Sequence, residues 1–325
     1  MIIDVHAHYL DPAVVKAIVA GEFAPDLSYD RERGGFVFPS VETRPTPRGM
    51  TDLETRLRHM DEAGVDMQVL STWLDMLGAD LPEATARAFH RAVNQGLATA
   101  VRSNPDRFRF LASVPLPYGE LAAKELTISV EEDGAVGALI GTRVGGLWLD
   151  DPAFDPFWRA AEKLAVPVML HPLTRAIMPP LQDYYLSNLL GNPMDTTVAA
   201  SRLIMAGVMD RFPNLTIVLV HGGGYLPYAV GRLDHGHQVR PEAKSVRMLP
   251  SSYLHRFAYD HIVFDAGILA GLAERVGRDR MVIGSDYPFD MEPRDLLGLA
   301  EAGLGPEAGQ RLGDNALRIF RRITG

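Results

Sequence analysis

Met1-Ile2-Ile3-Asp4-Val5-His6-Ala7-His8 is the stretch on which the reading of the chain turns. Its apolar, β-branched residues Ile2, Ile3 and Val5 suit a buried strand. Side chains alternate faces along a strand, so the pattern places Asp4, His6 and His8 on one face and Ile3, Val5 and Ala7 on the other. Two imidazoles two residues apart on a stiff strand can converge on one metal ion. Taken alone, the pair reads equally well as buried histidines bonded to backbone. Other strands break the tie, because His171, His221 and Asp286 each close a further short apolar run.

Working outward, such runs recur at residues 65–71, 110–114, 137–141, 166–170, 215–220, 262–265 and 280–284. Helical patterns lie between them. Asp52 opens one with Leu53, Leu57 and Met60 on a single face, and Gly64 ends it. Others cover residues 83–103, 121–130, 155–164 and 195–212, and two more, at about 293–302 and 306–322, close the chain. Eight strands alternating with helices predict an α/β fold with a parallel sheet, and eight close a (β/α)8 TIM barrel. The whole chain, 1–325, reads as a single domain with a long insertion after strand one, about 21–50. That insertion is rich in Gly, Pro and charge and contains the hairpin-like Gly34-Gly35-Phe36-Val37-Phe38; loops of this length are usually functional. In such barrels catalytic groups sit at the C-terminal ends of strands, and His6, His8, His171, His221 and Asp286 all fall there.

Composition narrows the chemistry. The chain is 47% hydrophobic and 22% charged, ordinary for a globular protein. A formal net charge of -9 argues against a nucleic-acid surface. No apolar run is long enough for a membrane span and no signal peptide is expected, so a cytoplasmic location is the default. Cysteine is absent, which leaves histidine and carboxylate as the strong metal ligands.

His6, His8, His171 and Asp286 make a set of three nitrogens and one oxygen that suits Zn²⁺, with a further position open; Mn²⁺, Fe²⁺ and Co²⁺ accept it too. Asp286 fits either as the last ligand or as a base. His221 opens His221-Gly222-Gly223-Gly224 and suits a general acid/base, since an imidazole titrates near neutrality. Lys16, Lys124, Lys163 and Lys244 all lie away from strand ends, so no carbamylated lysine is expected and one metal ion is preferred over two. Arg44, Arg232 and Arg240 are candidate carboxylate anchors because guanidinium binds carboxylate bidentately. Trp73, Trp148, Tyr287 and Phe289 are candidate walls for a flat substrate.

His6-Ala7-His8, Leu170-His171-Pro172, Val220-His221-Gly222-Gly223-Gly224 and Gly284-Ser285-Asp286-Tyr287-Pro288, in this order, resemble the amidohydrolase-2 branch of the amidohydrolase superfamily. The likeness is closest to aminocarboxymuconate semialdehyde decarboxylase and its relatives. It implies a (β/α)8 barrel, one divalent metal (usually zinc), and non-oxidative decarboxylation of an unsaturated or aromatic carboxylic acid. It also implies ligands His6, His8, His171 and Asp286, His221 as acid/base, Arg44 and Arg232 on the substrate carboxylate, and a homodimer in which Arg240 completes the neighbouring site. Leu173-Thr174 stands where the decarboxylase has an aromatic and an acidic residue, and residues 175–192 also differ, which leaves the substrate open. The alternative activity is hydrolysis of a lactone, amide or related bond on a small carboxylated substrate. A barrel that only binds a metabolite is a third reading, disfavoured because all five site positions keep functional side chains.

Overall fold

The computed structural model describes residues 1–173 and 181–324; part of the divergent segment after His171 lies outside them. Eight parallel strands follow one another in chain order: β1 (Ile3–His8), β2 (Met67–Ser71), β3 (Phe108–Ser113), β4 (Gly137–Gly141), β5 (Val168–His171), β6 (Ile217–Leu219), β7 (Phe257–Asp260) and β8 (Met281–Val282). Bridges Asp4↔Ile283 and Ala7↔Tyr287 bring the last strand back to the first, and Val5 N donates to Ile283 O at 3.0 Å. The expected TIM barrel is therefore present. Between strands run α1 (Pro12–Val19), α2 (Leu53–Ala63), α3 (Glu83–Ser103), α4 (Gly119–Glu131), α5 (Asp155–Leu164), α6 (Asn192–Met205), α7 (Val208–Arg211), α8 (Leu226–Val239) and α9 (Ala266–Val276), and α10 (Leu296–Leu304) and α11 (Ala308–Ile319) follow β8.

Local chemistry explains the boundaries. Asp52 caps α2 by accepting from Thr55 N at 3.0 Å, and Gly64 ends it at φ 69°. The helix expected over 195–212 is two, α6 and α7, because Gly207 takes φ 70° between them. The insertion carries the expected hairpin, Ser28–Asp30 paired antiparallel with Gly35–Val37. A second small hairpin, Arg143–Val144 with Leu147–Trp148, follows β4.

Two apolar layers result from the strand alternation. Ile3, Val5, Met67, Val69, Leu111, Leu139, Met169, Val218 and Val282 fill the barrel interior, joined by Ala316, Ile319 and Phe320 at one end. Neighbours of opposite parity, such as Leu70, Phe110, Ile140, Leu170 and Phe257, pack outward among the helices.

Two expectations need correcting. Strand seven is β7, upstream of the apolar run at 262–265. Phe264 of that run is 53% exposed with φ 58°, and Asp265 instead caps α9 by accepting from Ile268 N at 2.8 Å. Asp4 also does not share the histidines' face. The β1–β2 register runs Asp4↔Gln68 and then Ala7↔Leu70, so β1 holds one extra residue between them. That bulge lets Val5 and His6 both turn inward. Asp4 points the other way, accepting from Gln68 Nε2 at 2.8 Å, while Gln68 Oε1 accepts from Arg56 of α2. Among the described residues, no helix is long and apolar enough to cross a membrane.

Candidate active site

The strand ends converge as the spacing anticipates. His6 and His8 come from β1, His171 from the end of β5, His221 from just beyond β6, and Asp286 from the loop after β8. The His6 ring centroid lies 5.2 Å from that of His8, 5.0 Å from His171 and 5.4 Å from His221. Asp286 stands among them. Its Oδ1 is 3.1 Å from His8 Nε2, 3.3 Å from His6 Nε2 and 3.9 Å from His171 Nε2, and its Oδ2 is 3.5 Å from His221 Nε2. One donor atom each from His6, His171, His221 and Asp286 fit within 4.8 Å of one another, and His8 adjoins the group through Asp286 Oδ1. His221 (φ 54°) and Asp286 (φ 64°) both take left-handed backbone although neither is glycine; such strain persists only where the surroundings enforce it.

What holds each ring separates the histidines into two kinds. His6 Nδ1 faces Asp260 Oδ2 at 2.8 Å, His8 Nδ1 faces Thr72 O at 3.1 Å, and His171 Nδ1 faces Pro172 O at 2.9 Å. All three partners are acceptors, so each Nδ1 carries the proton and each Nε2 presents a lone pair inward. Those Nε2 atoms meet a carboxylate oxygen, which also offers only lone pairs. Converging lone pairs in a buried site call for a cation between them. His6 Nε2 and His171 Nε2 are buried with no hydrogen-bond partner, which fits a divalent ion at this place. His221 differs: its Nδ1 is buried with no partner, so no neighbour holds the ring from its far side.

The electrostatics agree. Burial opposes ionisation of Asp286, yet the facing His6 imidazole, with His171 and His221 beside it, holds its carboxyl well below the usual range. Burial likewise opposes charge on His6, but Asp286 and Asp260 override it and lift the ring to about 10. An extra proton on His6 answers the same demand for positive charge that a divalent cation meets. Burial pushes His171 down to about 3, so it stays a neutral ligand.

The site opens into a cavity of about 870 Å³ whose lining includes Arg44, Asp75, Arg143, His171, Asp286 and Phe289. Phe289 lies against the His8 ring, 5.4 Å between centroids. Arg44 comes from the insertion, with its Nε 3.6 Å from Asp75. Trp73 is fully buried core and does not line the cavity. Arg232 and Arg240, on α8 and at its end, are exposed and also outside the lining; Arg240 pairs with Glu242 at 2.7 Å. Trp148 instead supports Arg143, whose guanidinium carbon sits 4.9 Å from the indole centroid.

Two residues escaped the sequence reading. Asp260 went unnoticed because strand seven was placed too late, although Phe257-Ala258-Tyr259-Asp260 is an apolar run closed by an acid like the other strand ends. Arg143 lies two residues beyond β4, but nothing in the sequence marks it among the other arginines.

Known proteins share this fold. The 2-amino-3-carboxymuconate-6-semialdehyde decarboxylase of Dictyostelium discoideum is 33% identical over 274 residues, 83% of this chain and 76% of that protein. The crystal structure of 5-carboxyvanillate decarboxylase from Sphingomonas paucimobilis superposes with a TM-score of 0.83 at 28% identity, covering 98% of each chain. A dihydroxybenzoic acid decarboxylase from Polaromonas sp. JS666, solved with bound manganese and the inhibitor 2-nitroresorcinol, gives 0.79 at 26% identity over 100% of this chain and 98% of that one. The amidohydrolase family model matches residues 3–322, every strand end described above included, and the chain belongs to that family.

Proposed function

We propose that the protein is a divalent-metal-dependent, non-oxidative decarboxylase of a small aromatic or unsaturated carboxylic acid. The observation that carries this is the split among the histidines: three rings locked to present Nε2, and a fourth left free to exchange its proton. His6, His8, His171 and Asp286 would hold one ion, Zn²⁺ or Mn²⁺. When bound, it supplies Lewis-acid stabilisation of negative charge on the substrate. The manganese in the Polaromonas relative supports Mn²⁺ and the nitrogen-rich donor set supports Zn²⁺; elemental analysis of the purified protein distinguishes them.

The remaining chemistry belongs to side chains of this chain. Arg44, reaching into the cavity from the insertion, pairs with a substrate carboxylate. Phe289 packs on the flat face of the substrate. The electron pair of the breaking bond to the carboxylate stays on the substrate carbon as carbon dioxide leaves, and His221 Nε2 brings the proton that replaces it. Asp286 Oδ2, 3.5 Å from that nitrogen, stabilises the imidazolium form before transfer.

A homodimer is part of the same reading. Leu189, Leu190, Met194, Val198 and Tyr228 are exposed on α6, α8 and the turn before α6, and a second copy would cover them beside Arg232 and Arg240. Sedimentation should then give twice the chain mass. The activity is tested by loading the protein with Mn²⁺ or Zn²⁺ and following carbon dioxide release from 2,6-dihydroxybenzoate, 5-carboxyvanillate and aminocarboxymuconate semialdehyde. Release from at least one is expected. Products that gain water, or no turnover across the panel, would overturn the reading.

A further inference from the structure

We propose that Asp260 is a positioning residue that fixes the His6 tautomer and the backbone of the His221 turn with one carboxylate; this rests on the metal-site reading above. Asp260 ends β7 and is fully buried. Its two oxygens serve different neighbours. Oδ2 faces His6 Nδ1 at 2.8 Å, while Oδ1 accepts from Gly222 N at 2.9 Å and from Ile262 N at 3.2 Å.

The first contact decides what His6 offers. A carboxylate only accepts, so the ring proton stays on Nδ1 and Nε2 keeps its lone pair toward the metal position. The second contact holds the amide immediately after His221. That turn is strained at His221, a non-glycine residue at φ 54°, and admits only glycine next: Gly222 has φ 62°, and a Cβ there would lie 2.4 Å from Val263 Cγ1. A strained turn needs an anchor, and Asp260 Oδ1 supplies one from the neighbouring strand. Metal ligand and proton carrier are thereby set by the same group, so their geometry is coupled.

Asparagine has nearly the same shape but cannot satisfy both ends. With its oxygen toward the two backbone amides, its NH2 points at His6 Nδ1 and drives the ring proton to Nε2. Turned round, the NH2 meets the N–H of Gly222. Asp260→Asn is therefore expected to weaken Zn²⁺ and Mn²⁺ binding by about 10- to 100-fold in competition with a chromophoric chelator. In the zinc-loaded protein, the downfield His6 Nδ1 proton resonance should be lost or shifted upfield. Asp260→Ala, which removes both contacts, should additionally lower the hydrogen-exchange protection of the Gly222 amide. If Asp260→Ala fails to fold, the asparagine variant carries the test alone. Unchanged ion affinity with an unchanged His6 resonance in Asp260→Asn would overturn the proposal, as would intact Gly222 protection in a folded Asp260→Ala. None of these readouts uses turnover, so a protein that binds the ion but releases no carbon dioxide would fail the decarboxylase reading and leave this one standing.

Discussion

Single side chains divide the labour through what touches their far nitrogens. His171 is anchored at Nδ1 by Pro172 O and offers Nε2, whereas the Nδ1 of His221 has no partner and its Nε2 faces Asp286 Oδ2. His171→Ala should therefore lose both the ion and activity, while His221→Ala should keep stoichiometric ion and lose turnover by about 10²- to 10⁴-fold. Metal content by elemental analysis beside kcat checks both; normal turnover in His221→Ala would refute its role. Another buried histidine acts on stability instead. His90, on α3, has Nδ1 2.8 Å from Ser113 Oγ and Nε2 without a partner, and burial pushes it down to about 3. An unfolded chain protonates this residue near its ordinary value of about 6.5, and the folded state refuses the proton until far lower. Its stabilising contribution is thus complete above about 6.5 and is lost as pH falls toward the folded value, at up to about 1.4 kcal/mol per pH unit. Urea midpoints at pH 7 and pH 5 should converge in His90→Gln relative to the unmutated protein. Parallel profiles would show that the acid sensitivity comes from elsewhere.

Elements place these side chains, and two local irregularities matter more than the regular strands. The bulge in β1 gives that strand one more residue than β2 between Asp4 and Ala7, which aims both histidines at the barrel mouth and sends Asp4 outward. There Asp4 accepts from Gln68 Nε2 and from Ser285 Oγ at 2.6 Å, tying β1 to the loop that carries Asp286. The glycine turn after β6 is the second irregularity. Gly224 takes φ 62°, and a Cβ there would sit 2.1 Å from Pro193 O of α6. Gly224→Ala should cost roughly 1–3 kcal/mol, read as a lower urea midpoint, and should depress kcat because the turn carries His221. An unshifted midpoint would mean that the turn and α6 are less closely packed than described.

For the molecule as a whole, the site gathers ligands from β1, β5 and the loop after β8, three places that meet only when the barrel is closed. A metal ion binding there binds the folded state and not the unfolded one. Stability should then rise with free ion by about 2.7 kcal/mol at a concentration one hundred times the dissociation constant. Thermal midpoints with added Mn²⁺ or Zn²⁺ should climb, a chelator should reverse the gain, and His171→Ala should show no gain. An equal rise in that variant would place the stabilising ion at another site.

The barrel, the order of its strands and the five residues at their ends are legible in the order of residues alone, because apolar period and strand-end position are local properties of the chain. The same locality explains its errors. Ile262, Val263 and Phe264 are apolar enough to read as a strand, and only the folded sheet shows that Phe257–Asp260 forms the strand in their place. No alternation rule foresees an extra residue in β1, since a bulge is defined by its partner strand. Asp260 was hidden for a related reason: its significance lies in His6 and Gly222, which become its neighbours only in the folded sheet. Hydrogen bonds between residues hundreds of positions apart, such as His6 to Asp260, decide which nitrogen holds a proton, and that is fixed only in the folded molecule.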